Sequence, residues 1–423
     1  MKKRVLLKGP ILTRSGYGEQ ARFAFRALIS RPDLFDVYIQ PLQWGHTSWL
    51  NDLSDERRLI DQLIEKTIMH MHQGGNFDIS IQVTIPNEWE AMAPVNIGYT
   101  AGIETTLVAS EWLEAGNYMD KIIVVSTHSK AVYENSEYTA VHNETKEEMP
   151  YTLTTDIAAV NYPVKAYENT PDLNIDLDYD FNFLTIAQWS PRKNIENTIK
   201  WFVEEFLNDE VGFVVKTNQA KNCLMDKMST EMSLRAILEN YPDRKCKIYL
   251  LHGDMTDEEI HSLYVHPQMK AFLGIPHGEG FGLPFFEAAY SGMPVITAGW
   301  SGQLDYLVDE QGKERFYNVA FDLNHVQKSV VWDGVIVKES MWAYAREHSV
   351  KQKMRECHED IIESRDPYKT KEYIKELTDR FSETKLYEQF ISHIWEPTDE
   401  DEADAEREAL AESADLAANV GLL

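Results

Sequence analysis

The chain has 423 residues, of which 43% are hydrophobic and 26% are charged, and its formal net charge is −28. This length exceeds one ordinary hydrophobic core, so we expect two domains of roughly 150–200 residues each. The three cysteines form no CxxC pair, which argues against a disulfide framework and against a cysteine-based zinc site. No apolar run in the sequence approaches the roughly 20 residues that span a bilayer. We therefore expect a cytoplasmic protein, at most peripheral to a membrane.

Short apolar runs alternate with helical patterns along the first half of the chain, which is typical of βαβ units with parallel sheets. Predicted strands lie at residues 5–8, 37–41, 78–83, 96–100, 121–125 and 158–162. Predicted helices lie at residues 19–29, 55–71 and 130–133, and a polar loop is expected at 134–156. The strand at 5–8 follows a basic start, but its apolar run is too short for a signal peptide.

The same alternation restarts in the second half. Predicted strands lie at residues 181–187, 212–216, 247–251, 270–274 and 294–297, and predicted helices at 195–206, 230–239, 257–264 and 283–291. After residue 332 the pattern becomes helical and charged, to about residue 394. With a polar linker at 168–178, we expect domains at 1–170 and 180–365, C-terminal helices at 366–395 and a tail at 396–423. The tail is rich in Asp, Glu and Ala, so we expect it to be acidic and disordered.

The most informative segment reads HGEGFGLPFFEAAYSGMPVI, from His277 to Ile296. It predicts a strand, a glycine-rich loop and a helix that begins near Leu283. Gly278, Gly280 and Gly282 keep the loop free of Cβ atoms, so a ligand can approach closely. Because the loop leads into a helix N-terminus, it is suited to binding an anion such as a diphosphate.

Two glutamates, Glu279 and Glu287, flank this loop with seven residues between them. Such carboxylates can accept hydrogen bonds from a sugar at one end and a ribose at the other. The segment resembles the donor motif of the GT-B glycosyltransferases of the retaining group 1, or family 4, type. The resemblance implies that Glu279 contacts the donor sugar and that Glu287 holds the ribose. It also implies donor contacts along the loop and the helix start, at Gly280, Phe281, Gly282 and Leu283.

A second segment, FNFLTIAQWSPRKNIENTIKWF at residues 181–202, resembles the first unit of the donor domain in that family. Lys193 falls where the family has its phosphate-binding lysine, and Asn194 is expected to cap the next helix. The family's arginine aligns with Gln188, and the neighbouring Arg192 is the residue that can supply the missing charge. Cations are needed because cleavage of a nucleotide diphosphate builds negative charge on the leaving group.

Three further residues are predicted to contact the donor. Lys216 ends a predicted strand, and ligands bind at the carboxyl ends of such strands; the alternative is an ordinary surface lysine. Gly16 and Gly18, in the first loop of the chain, allow close approach of the diphosphate or the acceptor.

The acceptor contacts are predicted in the N-terminal half, which resembles the family in architecture only. Trp44 and His46 lie in an aromatic loop that can stack on sugar rings, and the alternative is a packed loop. Glu104 follows the strand at 96–100 and is expected to face the cleft. His70 and His72 are expected to pack at a helix end. No Asp-x-Asp stands at the metal position of the family, so we predict donor binding without a metal or other cofactor.

The resemblance thus implies an α/β protein of GT-B fold, with two Rossmann-like, doubly wound domains facing a cleft. The N-terminal domain is expected to bind the acceptor and the C-terminal domain a nucleotide-diphosphate sugar, which is most commonly UDP-linked in the family. The predicted reaction is transfer to an acceptor hydroxyl with retention of configuration, by front-face displacement. The alternative is a catalytically silent nucleotide-sugar-binding or scaffold protein, which Gln188 favours and the intact Glu279, Glu287 and Lys193 disfavour.

The charge of the first 31 residues bears on the chemical class of the acceptor. These residues hold eight basic side chains and one acid, Glu19. Arg22 and Arg26 are four residues apart, so they are predicted to share one helix face. If that face binds the acceptor, the acceptor is anionic: a lipid-linked saccharide, a polysaccharide or a hydroxymethylated DNA base. The negative charge of the whole chain disfavours nucleic acid. The alternative is a solvated helix face.

Overall fold

Two six-stranded parallel β-sheets form the framework of the chain in the computed structural model, which describes residues 2–142, 144–368 and 370–395. The strands of the first half are β1 Lys3–Gly9, β2 Phe35–Pro41, β3 Ile79–Val83, β4 Val95–Thr100, β5 Lys121–Val124, β6 Tyr138–Val141, β7 Glu148–Tyr151 and β8 Ile157–Ala159. Those of the second half are β9 Asn182–Ile186, β10 Gly212–Lys216, β11 Lys247–Leu251, β12 Met269–Leu273, β13 Val295–Ala298, β14 Tyr317–Val319, β15 Phe321–His325 and β16 Met341–Ala345.

The helices cover the faces of these sheets. They are α1 Gly16–Ile29, α2 Asp55–His72, α3 Ser110–Asn117, α4 Thr127–Asn135, α5 Ile195–Glu205, α6 Leu224–Leu238, α7 Asp257–Val265, α8 Leu283–Tyr290, α9 Leu304–Leu307, α10 Glu347–Ile362, α11 Lys371–Arg380 and α12 Glu383–Ser392. The alternation of strands and helices confirms the predicted α/β fold with two Rossmann-like units.

Both sheets are doubly wound. The strand orders are β2-β1-β3-β4-β5-β8 and β11-β10-β9-β12-β13-β14. In β1, Val5, Leu6 and Leu7 are all fully buried, as expected of a strand covered on both faces. The winding reverses beside β1 in the first sheet and beside β9 in the second. Ligands bind at the carboxyl ends of the strands where the order reverses, so the loops after β1 and β9 are the natural site.

Local sequence explains why the first helix begins where it does. Ser15 precedes α1, and its hydroxyl accepts a hydrogen bond of 2.9 Å from the backbone N–H of Gly18, which satisfies one of the free donors of the first turn. The inward face of α1 carries Phe23, Phe25 and Leu28, all almost completely buried. The helix therefore starts six residues beyond Pro10 and packs on the first sheet, with the loop after β1 between them.

Three predictions of secondary structure need correction. The loop expected at 134–156 contains an antiparallel hairpin formed by β6 and β7. Helix α6 begins at Leu224, six residues before the predicted start at residue 230, because its first two turns direct apolar side chains to solvent and so lack the usual periodicity. The region after residue 332 is not helical at first: Met341–Ala345 forms β16, which pairs antiparallel with β15.

The two halves are joined by more than the linker. We call residues 321–345, which comprise β15, β16 and their connection, the arm. Asn87 of the first half donates a hydrogen bond of 2.9 Å to the Gly334 carbonyl of the arm, and the Met341 N–H donates one of 3.0 Å to the Thr106 hydroxyl. Val335 of the arm packs against a cluster of buried side chains in the first half. The arm therefore ties the second half to the first.

The C-terminal helix returns to the first half. Phe390 of α12 packs against Phe23 and Tyr99, with ring centroids 5.3 and 5.2 Å apart. Trp395 lies 6.3 Å from Phe35 between ring centroids. The predicted acidic tail at 396–423 lies outside the described residues. Within the described residues, none of the helices combines the length and apolar character needed to cross a bilayer.

Candidate active site

The glycine-rich segment forms the predicted strand, loop and helix. It runs from the end of β12 to Leu283, where α8 begins. Gly282 precedes the helix in the left-handed conformation, with φ of 87°, which favours glycine. Phe281 is 3% exposed and its ring packs 5.0 Å from Tyr306. Its side chain therefore belongs to the core, and only its backbone faces the loop.

Four charged residues meet at the carboxyl ends of the strands, and we call them the charge cluster: Glu104, Arg192, Lys193 and Glu279. The Lys193 ammonium lies 2.6 Å from one carboxylate oxygen of Glu279, and the Arg192 guanidinium lies 3.1 Å from the other. Arg192 also reaches Glu104 of the first half, at 3.2 Å. The cluster thus joins loops after β4, β9 and β12, across the two sheets.

Burial and the neighbouring cations together shift the pKa values of the two carboxylates in opposite directions. Burial alone would raise the pKa of Glu279, but Lys193 and Arg192 outweigh it and hold the pKa below its ordinary value. Burial raises the pKa of Glu104, although the charge of Arg192 opposes the shift. Glu279 is therefore an ionised ligand of the two cations, whereas Glu104 is the carboxylate of the cluster better suited to exchanging a proton.

The loop glycines are required by backbone contact between the halves. A Cβ on Gly278 would lie 2.1 Å from the Glu104 carbonyl oxygen, and one on Gly280 would lie 2.0 Å from that of Ala101. Either contact is too short for a side chain. The two halves are therefore packed against each other at the glycine-rich loop, and any larger residue there would separate them.

Glu287 lies apart from the charge cluster, in α8. Its carboxylate accepts a hydrogen bond of 3.0 Å from the Tyr264 hydroxyl. Burial raises the pKa of Glu287 to about 7, against the opposing effects of Lys165 and the Tyr264 hydroxyl. Lys165 itself bridges the halves, at 2.9 Å from Glu19 of α1 and 2.8 Å from Asp257 of α7. Glu287, which is predicted to bind the ribose, therefore lies beside a charged contact between the two halves.

Lys216 lies where the halves meet at the first loop. Its ammonium donates a hydrogen bond of 2.7 Å to the Gly253 carbonyl. The Arg14 guanidinium, from the loop after β1, donates a hydrogen bond of 3.0 Å to the Met255 carbonyl, two residues after Gly253. Gly16 has open space where a Cβ would project, whereas a Cβ on Gly18 would lie 2.1 Å from the Thr13 carbonyl oxygen. Gly16 can thus admit a ligand, and Gly18 is needed for packing.

Trp44 and His46, two of the predicted acceptor residues, differ in their connection to the charge cluster. The Trp44 ring stacks on Tyr17 with centroids 4.1 Å apart, and the Tyr17 hydroxyl accepts a hydrogen bond of 3.1 Å from the Gly102 N–H. Trp44 is thereby connected to the loop that carries Glu104. His46 is exposed on its loop, and among the contacts of the described residues none joins it to the charge cluster.

The contacts of the loop after β9 bear on two predictions. Gln188, which aligns with the arginine of the resembled family, donates a hydrogen bond to the Gln219 carbonyl, and Arg192 is the residue that reaches Glu279. Asn194 occupies the position before α5 but does not cap it as predicted. Its backbone is left-handed, with φ of 55°, and its side chain instead contacts the Ile275 carbonyl and Asn197.

Several residues that shape the site carried no signal in the sequence. Ser301 accepts a hydrogen bond of 3.0 Å from the Glu279 N–H and so fixes the start of the loop. His277 is buried, with its ring between those of Trp342 and Tyr344 of the arm. Tyr17 and Arg14 act through contacts between distant parts of the chain. In the sequence, only the neighbouring glycines indicated that the loop carrying Tyr17 could lie near a ligand.

Of the two histidines of α2, His70 packs as predicted, whereas His72 is exposed. The His70 ring lies 4.6 Å from that of Tyr38 and 5.3 Å from that of Phe77, at the end of the helix. Across residues 2–142, 144–368 and 370–395, no three His, Cys, Asp or Glu side chains are grouped so as to hold a metal ion.

Comparisons with known proteins extend these observations. No protein-family model matches the chain, and no curated protein matches it. Solved structures do match. Sucrose-phosphate synthase from Thermosynechococcus elongatus is 12% identical, with 92% of this chain and 98% of that chain covered and a TM-score of 0.59. A glycosyltransferase from Rickettsia africae is 11% identical, with 92% and 97% covered and a TM-score of 0.55. HepE from Anabaena, in complex with UDP and glucose, is 12% identical, with 92% and 98% covered and a TM-score of 0.53.

Identities this low establish a shared fold and leave the activity open. The match extends over nearly the whole of each compared chain, so it includes both sheets. The fold that the glycine-rich segment predicted is confirmed: the chain has the GT-B fold.

Proposed function

We propose that the protein is a glycosyltransferase that moves a sugar from a nucleotide-diphosphate sugar to an acceptor hydroxyl with retention of configuration. The observation that carries the proposal is the meeting of Arg192, Lys193 and Glu279 at the reversal of the second sheet. Two cations beside a glycine-rich helix start suit a diphosphate, and the carboxylate suits sugar hydroxyls. HepE, which shares the fold, was crystallised with UDP and glucose, and we propose a UDP-linked donor here.

The donor is proposed to bind the second half of the chain, residues 180–365. Arg192 and Lys193 would hold the diphosphate and stabilise the charge that grows on it as the glycosidic bond breaks. Glu279 would then exchange part of its contact with the cations for hydroxyls of the sugar. The backbone at Gly280, Gly282 and the start of α8 would supply N–H donors, and Glu287 would accept hydrogen bonds from the ribose.

The acceptor is proposed to bind the first half, residues 1–170. Glu104 lies next to Arg192, so an acceptor hydroxyl held by Glu104 would stand close to the diphosphate. Retention by double displacement requires a free carboxylate nucleophile, and Glu279 is bound by two cations. Front-face displacement fits better, with the leaving diphosphate helping to take the acceptor proton and positioning supplying much of the rate.

The arginines on the basic face of α1 give no support for an anionic acceptor. Arg22 lies 3.1 Å from Glu19, and Arg26 lies 2.9 Å from Glu19 and 2.6 Å from Glu56. Arg22 also donates hydrogen bonds to the Ile11 and Thr13 carbonyls. These arginines therefore serve internal contacts, and we propose a hydroxyl acceptor that need not be anionic.

The test uses purified protein and a panel of UDP-, GDP- and ADP-linked sugars. A donor that binds the folded protein raises its melting temperature by mass action, and slow release of nucleoside diphosphate shows that the bond to the sugar is cleaved. We expect both with at least one UDP-sugar, and loss of the release in Lys193→Ala. Binding without any release, with or without saccharide acceptors, would instead establish the catalytically silent alternative.

A further inference from the structure

The outer face of α6 carries the most exposed row of large apolar side chains on a described helix. Leu224, Met225, Met228 and Met232 are 73%, 81%, 56% and 71% exposed. Residues four apart stack along one side of a helix, so these side chains form a continuous strip, which we call the methionine stripe. The opposite face of α6 packs on the second sheet through Leu234, so the stripe is not needed for the core.

The stripe is bordered by positive charge. Lys221, Lys227 and Arg235 are exposed beside it, and Lys227 lies 3.9 Å from Glu231. Of the two acids in the same stretch, Asp226 is turned inward and bonded to His252 at 2.8 Å, which leaves Glu231 as the acid at the surface. The net charge of the chain is −28, so this basic border is opposite in sign to the protein as a whole. Because salt screens charges that lie more than roughly 10 Å away, the acids elsewhere in the chain have little effect here.

These features fit one kind of occupant better than others. The stripe consists of four side chains, whereas each side of a stable protein interface contributes roughly 20–30 residues. A helix with an apolar face and basic flanks is the usual arrangement for lying in the headgroup layer of an anionic membrane.

We propose that α6 docks the protein on an anionic lipid surface, with the methionine stripe inserted among the acyl chains and the three basic residues against the headgroups. The stripe begins near a contact between the two halves: Asn222, two residues before α6, donates a hydrogen bond to Asp254, which lies 3.6 Å from Arg14 of the first half. Docking through α6 therefore brings this contact between the halves close to the lipid.

The experiment measures partition of the full-length protein into vesicles of phosphatidylcholine alone or mixed with phosphatidylglycerol. We expect binding to the mixed vesicles that weakens with salt, and a loss of roughly 10- to 100-fold in Met225→Ser/Met228→Ser/Met232→Ser. The matched control, Leu59→Ser/Ile68→Ser/Met69→Ser, removes exposed apolar side chains from α2 and should bind as wild type does. Unchanged melting temperatures would show that all three proteins are folded.

Three results would overturn the proposal. The first two are absence of wild-type binding to the mixed vesicles and equal binding by the stripe variant. The third is a wild-type dimer in light scattering that is absent in the stripe variant, which would show that a second copy of the chain covers the stripe. Vesicle binding needs no nucleotide sugar, so this experiment succeeds or fails independently of the proposed transferase activity.

Discussion

Replacing Glu279 by glutamine tests how the charge cluster is built, because it removes one negative charge and keeps the shape of the side chain. In the wild-type protein the Glu279 carboxylate contacts Lys193 at 2.6 Å and Arg192 at 3.1 Å, and its side chain is 5% exposed. The variant leaves Lys193 without its carboxylate partner, while Arg192 keeps Glu104 at 3.2 Å. Breaking one side of a buried ion pair costs about 3–5 kcal/mol, so we expect Glu279→Gln to be destabilised by an amount in that range.

The same reasoning predicts an unusual response to UDP. A diphosphate brings negative charge to the two cations, so it should compensate for the missing carboxylate. We therefore expect UDP to raise the melting temperature of Glu279→Gln by more than it raises that of wild type, while transfer of sugar is lost. Glu210→Gln, an exposed glutamate of the same half, is the control and should change neither quantity.

Thermal melts with and without UDP, together with calorimetric titration of UDP, measure these effects. The reasoning is refuted if Glu279→Gln is as stable as wild type to within the roughly 0.5 kcal/mol of ordinary surface substitutions. It is also refuted if UDP stabilises the variant less than wild type, since the cations would then not be the diphosphate site.

Three further predictions follow from the described contacts. Lys193→Ala should lower turnover by roughly 100-fold or more at temperatures where the variant is folded, because the lost cation would stabilise the leaving group; full activity in this variant would exclude that role. It should also melt below wild type, because the buried Glu279 carboxylate keeps only Arg192. Glu287 is protonated below its pKa of about 7, so donor affinity should weaken as pH falls below 7, and calorimetry should give a flat pH profile for Glu287→Gln. The raised pKa also means that this group's contribution to stability declines as pH rises from about 4.5 through 7, a trend that the glutamine variant should lack in thermal melts. Deleting residues 396–423 should leave activity and melting temperature unchanged, whereas removing Trp395 as well should lower the melting temperature, because Trp395 packs against Phe35.

The fold and the central residues of the site were predictable because their signals are local. A strand such as Val5–Leu7 shows itself as a buried apolar run, and the segment from Gly278 to Glu287 combines glycines, carboxylates and a helix start within a few residues. Lys193 was singled out because its strand, loop and helix unit resembles that of a known family, and its proposed role stays a prediction. In each case the pattern and the structure it forms lie in one stretch of chain.

Contacts between distant stretches were not predictable from the sequence. Nothing near Arg14 or Lys165 indicates that each bridges the two halves, and the pairing of Phe321–His325 with Met341–Ala345 depends on partners outside either strand. Helix α6 was predicted too short for a different reason. The usual periodicity assumes that apolar residues face the core, and Leu224 and Met228 face solvent.

The return of α12 to the first half has a consequence for biosynthesis. Phe23 and Tyr99 are among the first core residues to leave the ribosome, but their packing partner, Phe390, is made more than two hundred residues after the first half ends. At roughly 5–20 residues per second, the nascent N-terminal half waits on the order of 10 to 40 seconds with this aromatic surface uncovered. The half of the protein that is translated first is therefore the last to be completed, and during that interval the surface that α12 will occupy is open to chaperones and to non-native contacts.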